Sequence, residues 1–143
     1  MTIRLSILAG VVLAFMALPA AAQTVGYHAD LSAKSENPAV TSDGVGAFDA
    51  WLDAKTKVLK WELRFWSLSG AATASHIHGP ADAKTNAGVL IPLTKAGDAG
   101  PYAGTATLTD AQIADLNAGK WYVNVHTAKN APGEIRGQVM KAK

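Results

Sequence analysis

The sequence predicts an all-β domain, either a Greek-key immunoglobulin-like sandwich or a flattened barrel, with about eight strands and one short helix. The first observation behind this prediction is a series of short runs in which apolar and polar residues alternate. The second is that clusters of Gly, Pro, Asn and Asp separate these runs at close intervals. The third is that no long helical period occurs after residue 23.

Eight segments carry the strand pattern. The predicted strands are Val25–Ala33, Gly44–Leu52, Lys57–Trp66, Thr73–His78, Val89–Leu93, Ala103–Leu108, Trp121–Thr127 and Gly133–Lys141. The third strand shows the clearest alternation, with one apolar and one charged face. The apolar face holds Leu59, Trp61, Leu63 and Phe65, and the charged face holds Lys60, Glu62 and Arg64. Turns are expected at residues 53–56 and 130–133.

One short helix is expected before the seventh strand. Thr109 caps its start, and Gln112, three residues later, completes a capping box. Ile113 and Leu116 form its buried face, and Gly119 is suited to its C-terminal end.

Residues 1–22 are expected to form a cleavable signal peptide. Arg4 supplies the positive charge, Leu5–Leu18 is apolar and uncharged, and residues 19–22 are the small residues that precede a cleavage site. The apolar run is shorter than the roughly 20 residues that span a bilayer. We therefore expect one exported domain, residues 23–143, in the periplasm or secreted, with an uncleaved membrane anchor as the alternative.

Charge and cysteine content exclude several classes of function. The formal net charge of +2 falls to +1 if cleavage removes Arg4, and the chain has no run of Lys or Arg. Nucleic-acid binding is therefore not expected, nor is membrane binding after cleavage. With no cysteine, the chain has no disulfide, no thiolate metal site and no cysteine nucleophile.

Three histidines are candidate metal ligands. His76 and His78 lie two residues apart on a predicted strand, so their side chains share a face. Ile77 points into the core, which places the pair on the outer or rim side of the sheet. His126 lies on the non-core face at the end of another strand. Three neutral imidazoles suit copper or zinc and leave one coordination position open.

The histidine pattern also has simpler interpretations. An H-x-H pair occurs on exposed strands that bind no metal, and His126 joins the pair only if two distant strands meet. His28 faces outward near the expected new N-terminus, where it is either solvated or a fourth ligand.

Two motifs resemble those of the chordin-type (CHRD) domain family. The segment SHIHGPA at residues 75–81 resembles the family's AHIHGPA motif. The segments VNVHTA at 123–128 and PGEIRGQ at 132–138 resemble its C-terminal motif, and residues 29–40 resemble its opening more loosely. The resemblance covers essentially all of the chain after the leader. It implies an immunoglobulin-like β domain in an extracellular or exported protein.

A more distant resemblance is to the copper/zinc superoxide dismutases, which hold copper with an H-x-H pair and a late histidine. It implies copper as the cofactor, bound by His76, His78 and His126, and Arg136 as the guide for superoxide or another small anion. The zinc ligands and the disulfide of those enzymes have no counterpart in this sequence.

Two carboxylates are expected to support the histidines or the loops around them. Glu36 either orients a histidine or caps the loop around Pro38. Glu134 shares a polar strand face with Arg136. The alternative role of Arg136 is a surface ion pair with Glu134 or Glu36.

Two functions follow as hypotheses. The first is an exported copper-binding protein that dismutates superoxide or handles copper. The second is a noncatalytic extracellular or periplasmic protein-interaction module, which imidazoles more than about 8 Å apart would favour.

Overall fold

The computed structural model describes residues 24–94 and 102–143, and the expected signal peptide lies outside them. Eight strands are present: β1 Thr24–Ser32, β2 Val45–Asp53, β3 Val58–Trp66, β4 Ala72–His78, β5 Val89–Thr94, β6 Tyr102–Thr107, β7 Trp121–Thr127 and β8 Ile135–Lys141. One helix, α1, spans Asp110–Asn117, and a single 3₁₀ turn spans Ala33–Ser35.

The eight strands form one antiparallel sheet in the order β5-β4-β7-β8-β1-β2-β3-β6. The edge strands β5 and β6 contact each other, so the sheet is rolled into a nearly closed barrel. The chain passes from β3, which is next to the edge strand β6, to β4, which is next to the edge strand β5, and this is a Greek-key connection. The all-β prediction with eight strands and one short helix is confirmed.

The barrel interior is filled by the apolar residues of the alternating pattern. The most deeply buried large apolar side chains include Tyr27, Leu31, Phe48, Leu59, Leu63, Ile77, Trp121, Val123 and Ile135. Burying each such side chain contributes about 1.5–3 kcal/mol. Because Ile77 faces this core, its neighbours His76 and His78 are held on the opposite side of β4.

Helix α1 begins and ends as predicted. The Thr109 hydroxyl accepts a hydrogen bond from the Gln112 backbone N–H at 3.2 Å, and the Gln112 side chain accepts one from the Thr109 N–H at 2.8 Å. Gly119 follows the helix with a φ of 69°, a conformation that glycine adopts without steric cost. Leu116 packs into the core and anchors the helix.

Part of the outer face of β4, β7 and β8 is also buried, which period-2 alternation alone did not predict. Tyr122 and Asn124 of β7 and Arg136 of β8 point away from the core but are less than 8% exposed. Loops cover this face and are bonded to it. For example, the Gln138 side chain of β8 donates to the Ala81 carbonyl of the loop after β4 at 2.9 Å. The functional candidates therefore lie in a polar layer between the sheet and its loops.

Helices able to cross a membrane, judged by length and apolar character, are absent from residues 24–94 and 102–143.

Candidate metal centre

The pairing of β4 with β7 brings three histidines together. His76 lies opposite Asn124 and Ala74 lies opposite His126, so His126 is a diagonal neighbour of His76. The Nδ1 atom of His76 lies 3.0 Å from Nε2 of His126. One ligand nitrogen from each of His76, His78 and His126 lies within 4.8 Å of the others. This separation is well below the 8 Å that would have favoured the interaction-module hypothesis.

Backbone carbonyls fix which nitrogen of two rings faces the cluster. The Nδ1–H of His126 donates to the Ala131 carbonyl at 2.8 Å, and the Nδ1–H of His78 donates to the Ala87 carbonyl at 2.9 Å. A carbonyl oxygen can only accept, so the Nε2 atom of a neutral His126 carries a lone pair, whereas Nε2 of His78 also faces the Asn124 side-chain oxygen at 3.0 Å. This carbonyl–imidazole arrangement is the one that orients histidines toward metals in proteins.

The environment favours neutral imidazoles. Burial and the neighbouring rings of His126 and His78 lower the pKa of His76 below its usual value. Burial also lowers the pKa of His78, although its hydrogen bonds to Ala87 and Asn124 act in the opposite direction. Neutral rings are required for metal coordination because a protonated nitrogen has no lone pair.

The three nitrogens fit one ion after a small adjustment. Metal–nitrogen bonds of about 2 Å in a tetrahedral site place ligand nitrogens about 3.3 Å apart. The His76–His126 distance of 3.0 Å is already close to that value. The wider separations, which reach 4.8 Å, would close if each ring nitrogen moved by less than about 1 Å. Since the chain supplies three ligands, one position is left for water or a small molecule.

His78 belongs to a stack of three side chains. Its ring is parallel to that of Tyr122, with an angle of 3° and centroids 4.8 Å apart. The guanidinium carbon of Arg136 lies 3.4 Å from the centre of the same Tyr122 ring. Tyr122 is on β7, between β4 and β8, so its two partners approach from the two flanking strands.

The structure places the Arg136 side chain under a loop and away from solvent. The side chain is 1% exposed, so it forms no surface ion pair with Glu134 or Glu36. Its guanidinium donates to the Asn86 side-chain oxygen at 2.8 Å and to the carbonyls of Asp82 and Thr85 at 3.1 and 2.8 Å. An anion guide has to be reached by the anion, and this cation is enclosed. Arg136 instead fastens the loop that also supplies the Ala87 carbonyl to His78.

Glu36 reaches the cluster through Asn124. The Asn124 side chain hydrogen-bonds the Glu36 carboxylate, and its Oδ1 atom lies 3.0 Å from Nε2 of His78. Burial raises the pKa of Glu36 to about 7, against the opposing effects of Arg136 and of hydrogen bonds from Asn37 and Asn124. Glu36 therefore contacts a histidine of the cluster only indirectly, through the Asn124 side chain.

Glu134 supports loops, not the histidines. Its Oε1 accepts from the Ser42 hydroxyl at 2.5 Å and the Ser69 N–H at 2.7 Å, and its Oε2 accepts from the Ser69 and Thr127 hydroxyls, both at 2.6 Å. Burial acts to raise the pKa of Glu134, but these hydrogen bonds outweigh it and lower the pKa to about 2. Of the two expected roles, support of the histidines or of the loops around them, these contacts correspond to the second.

His28 does not join the cluster. It lies on β1, two strands away from β7, and its Nδ1 and Nε2 atoms bond Asp49 at 2.8 Å and Asp30 at 3.1 Å. The hydrogen bond to Asp49 is the main cause that raises the pKa of His28. The structure therefore does not bring His28 to the other three histidines, because strand β8 lies between β1 and β7.

Sequence reasoning missed the residues that shape the site from behind. Tyr122 and Asn124 share the non-core face of their strand with His126 in the sequence pattern, but neither is among the candidate site residues. The carbonyls of Ala87 and Ala131 carry no side-chain signal that could have revealed their role. The strand register predicts Asn124 beside His76, but only once β4 and β7 are known to pair.

The fold and the site define an all-β domain with a histidine cluster in a loop-covered polar layer. The family model of the CHRD domain matches residues 27–139, so the chain belongs to the CHRD domain family. CHRD domains occur in extracellular proteins. No curated protein and no solved structure matches the chain, and the resemblance to copper/zinc superoxide dismutases gains no support.

Proposed function

We propose that this protein is an exported metal-binding CHRD domain that holds one copper ion at His76, His78 and His126 in the periplasm or outside the cell. The observation that carries the proposal is the cluster itself: three ligand nitrogens within 4.8 Å of one another, two of them oriented by backbone carbonyls. Hydrogen-bonding histidines with no metal role do not require three rings to converge.

Copper is favoured over other ions by the ligand chemistry. Imidazole nitrogens bind copper and zinc, whereas magnesium and calcium prefer oxygen ligands. For a given set of nitrogen ligands, affinity rises from manganese to copper and falls again at zinc. Zinc is therefore the competing ion that the test has to include.

The proposal is copper binding or handling, not superoxide dismutation. Dismutation at a useful rate relies on a cation that attracts the anion toward the metal. Arg136, the residue expected to do so, is enclosed by the 82–86 loop and by Tyr122. A metal site with half-buried His76 and His126 still admits ions from solution.

Titration of the purified metal-free protein with Cu(II), followed by electron paramagnetic resonance, tests the proposal. We expect one copper per chain with hyperfine coupling to nitrogen, and loss of that signal in His76→Ala and in His126→Ala. His28→Ala is the matched control, because His28 bonds aspartates outside the cluster and its loss should leave the signal unchanged.

Two results would contradict the proposal. One is copper binding that persists in both cluster variants, and the other is binding that disappears in His28→Ala. Either would leave a noncatalytic interaction module as the better interpretation of this CHRD domain. A parallel titration with Zn(II) in competition with Cu(II) decides the metal.

A further inference from the structure

A cavity of about 380 Å³ lies beside the histidine cluster. Three loop segments form its walls: residues 36–40, 86–87 and 129–133. Its floor consists of His78, Tyr122 and Asn124 from the sheet. The volume is sufficient for a small organic molecule of several non-hydrogen atoms.

The polar groups left unused around this cavity are mainly acceptors. The side-chain N–H of Asn37 donates to the Lys84 carbonyl at 2.6 Å, and that of Asn130 donates to the Ser69 hydroxyl at 3.2 Å. Both amide oxygens have no partner among the described residues, and both residues line the cavity. A ligand that fits these groups brings hydrogen-bond donors.

Glu36 adds an acidic acceptor with an unmet hydrogen-bonding requirement. Its Oε1 atom is buried and has no hydrogen-bond partner among the described residues. A buried carboxylate oxygen without a partner costs about 1–3 kcal/mol, more if charged, so such atoms generally mark a missing donor. Glu36 lines the cavity, so a rotation of its carboxyl group would let a bound donor reach this oxygen and relieve the cost.

Glycine at position 133 makes room for this carboxylate. A Cβ at Gly133 would lie 2.4 Å from Glu36 Oε1 and 2.9 Å from the Asn124 side-chain nitrogen. The φ of Gly133 is 146°, which other residues rarely adopt. The loop is thus shaped around the acid.

We propose that this cavity binds a small organic amine, with the protonated nitrogen recognised by Glu36 and by the oxygens of Asn37 and Asn130. Lys129 lies exposed at the cavity and has no ion-pair partner among residues 24–94 and 102–143. Its positive charge repels a bound cation and weakens binding, so a substitution of Lys129 gives a second test of the site. The proposal does not depend on a metal at the histidines.

The test uses the ¹⁵N-labelled, metal-free protein in the presence of a chelator, with amide shifts as the readout. Three probes of equal size separate the chemistries: n-propylammonium, propionate and 1-propanol. We expect saturable shifts for n-propylammonium, centred on residues 36–37 and 130–133, with a dissociation constant on the order of 1 mM for so small a ligand. Propionate and 1-propanol should give no saturable shifts there.

Variants decide whether Glu36 is responsible. Glu36→Gln, which keeps the shape, should weaken n-propylammonium binding at least tenfold, whereas Glu62→Gln on an exposed part of β3 should not change it. Lys129→Glu, at an exposed position, should strengthen binding several-fold. Equal responses to all three probes, or binding indifferent to both Glu36→Gln and Lys129→Glu, would overturn the proposal. Because a chelator is present, failure here leaves the copper proposal untouched.

Discussion

Nδ1 of His76 and Nε2 of His126 meet across strands β4 and β7 at 3.0 Å, although 50 residues separate them in the chain. A metal bound between them cross-links the two strands and stabilises the folded state by mass action. At a free ion concentration of 100 times the dissociation constant, the expected gain is about 2.7 kcal/mol.

Metal-dependent stability can be measured by thermal unfolding with Cu(II), Zn(II) or a chelator. We expect the midpoint to rise by several degrees with the ion and to fall back when the chelator removes it. His76→Ala should show no rise, whereas His28→Ala should respond like the wild type. A rise that survives in His76→Ala would place the bound ion elsewhere.

Glu134 should be among the most important polar side chains for folding. Its two oxygens accept four hydrogen bonds that join β7 and β8 to the loops containing Ser42 and Ser69. Glu134→Gln places an amide N–H against hydroxyls that were donating, so we expect a loss of about 2–4 kcal/mol at pH 7 in chemical denaturation.

The effect of Glu134 should depend on pH in a defined direction. Its pKa is about 2 in the folded protein, below its usual value of 4.5. The contribution is therefore complete above pH 4.5 and is lost as the pH falls toward 2. The stability difference between wild type and Glu134→Gln should shrink over that interval. A difference that stays constant from pH 7 to about 2.5 would contradict the assignment.

The strands and the helix were predictable because local patterns specify them. The third strand shows this best: its charged Lys60, Glu62 and Arg64 are exposed, and its apolar Leu59 and Leu63 are fully buried. The Thr109 capping box was likewise readable from a spacing of three residues. Alternation and capping depend on neighbours in sequence, so both can be recognised without knowledge of the fold.

The environment of the site was less predictable because it depends on distant contacts. Alternation placed Arg136 on the correct face of β8, but not under the 82–86 loop that buries it. His28 was placed on an outer face, and only the β1–β2 register shows that Asp49 lies opposite it. Loop coverage and cross-strand partners leave no periodic signal in one chain.

Arg136 should act as a structural cation that also supports His78. Arg136→Lys keeps the charge but loses the planar fork that spans Asn86 and two carbonyls. We expect a stability loss of about 2 kcal/mol. Because the same loop carries the Ala87 carbonyl, copper affinity should also fall, which a competitive titration would show.

Arg64→Lys is the control for this substitution. Arg64 is exposed and pairs with Asp49 at 2.7 Å, so its replacement should change stability by less than about 0.5 kcal/mol. Equal stability of Arg136→Lys and Arg64→Lys would show that burial of the Arg136 guanidinium contributes nothing.

Gly133→Ala should disturb the Glu36 cavity. The added Cβ would lie 2.4 Å from Glu36 Oε1, and the φ of 146° is unfavourable for alanine. We expect a loss of about 1–3 kcal/mol and shifted amide resonances around Glu36 and Asn124. Gly88→Ala is the matched control, since an added Cβ there has no atom within 4 Å. Equal unfolding midpoints for the two variants would contradict the described loop conformation.

Glu36 should make the protein less stable as the pH rises through neutrality. Burial raises its pKa to about 7 in the folded state, above the usual 4.5, so the folded protein holds this proton more tightly than the unfolded chain does. The favourable contribution is complete below pH 4.5 and is lost as the pH rises through 7.

Glu36→Gln removes this titration and should leave stability at pH 5 nearly unchanged. At pH 8 the variant should be more stable than the wild type by about 1–2 kcal/mol, a range reduced for the part of the carboxyl that water still reaches. Denaturant unfolding at both pH values measures the difference, with Glu62→Gln as the exposed control. If Glu36→Gln were instead less stable than the wild type at pH 8, the carboxylate would be a satisfied partner in the folded protein, and its unpartnered oxygen could no longer be used as evidence for an amine in the cavity.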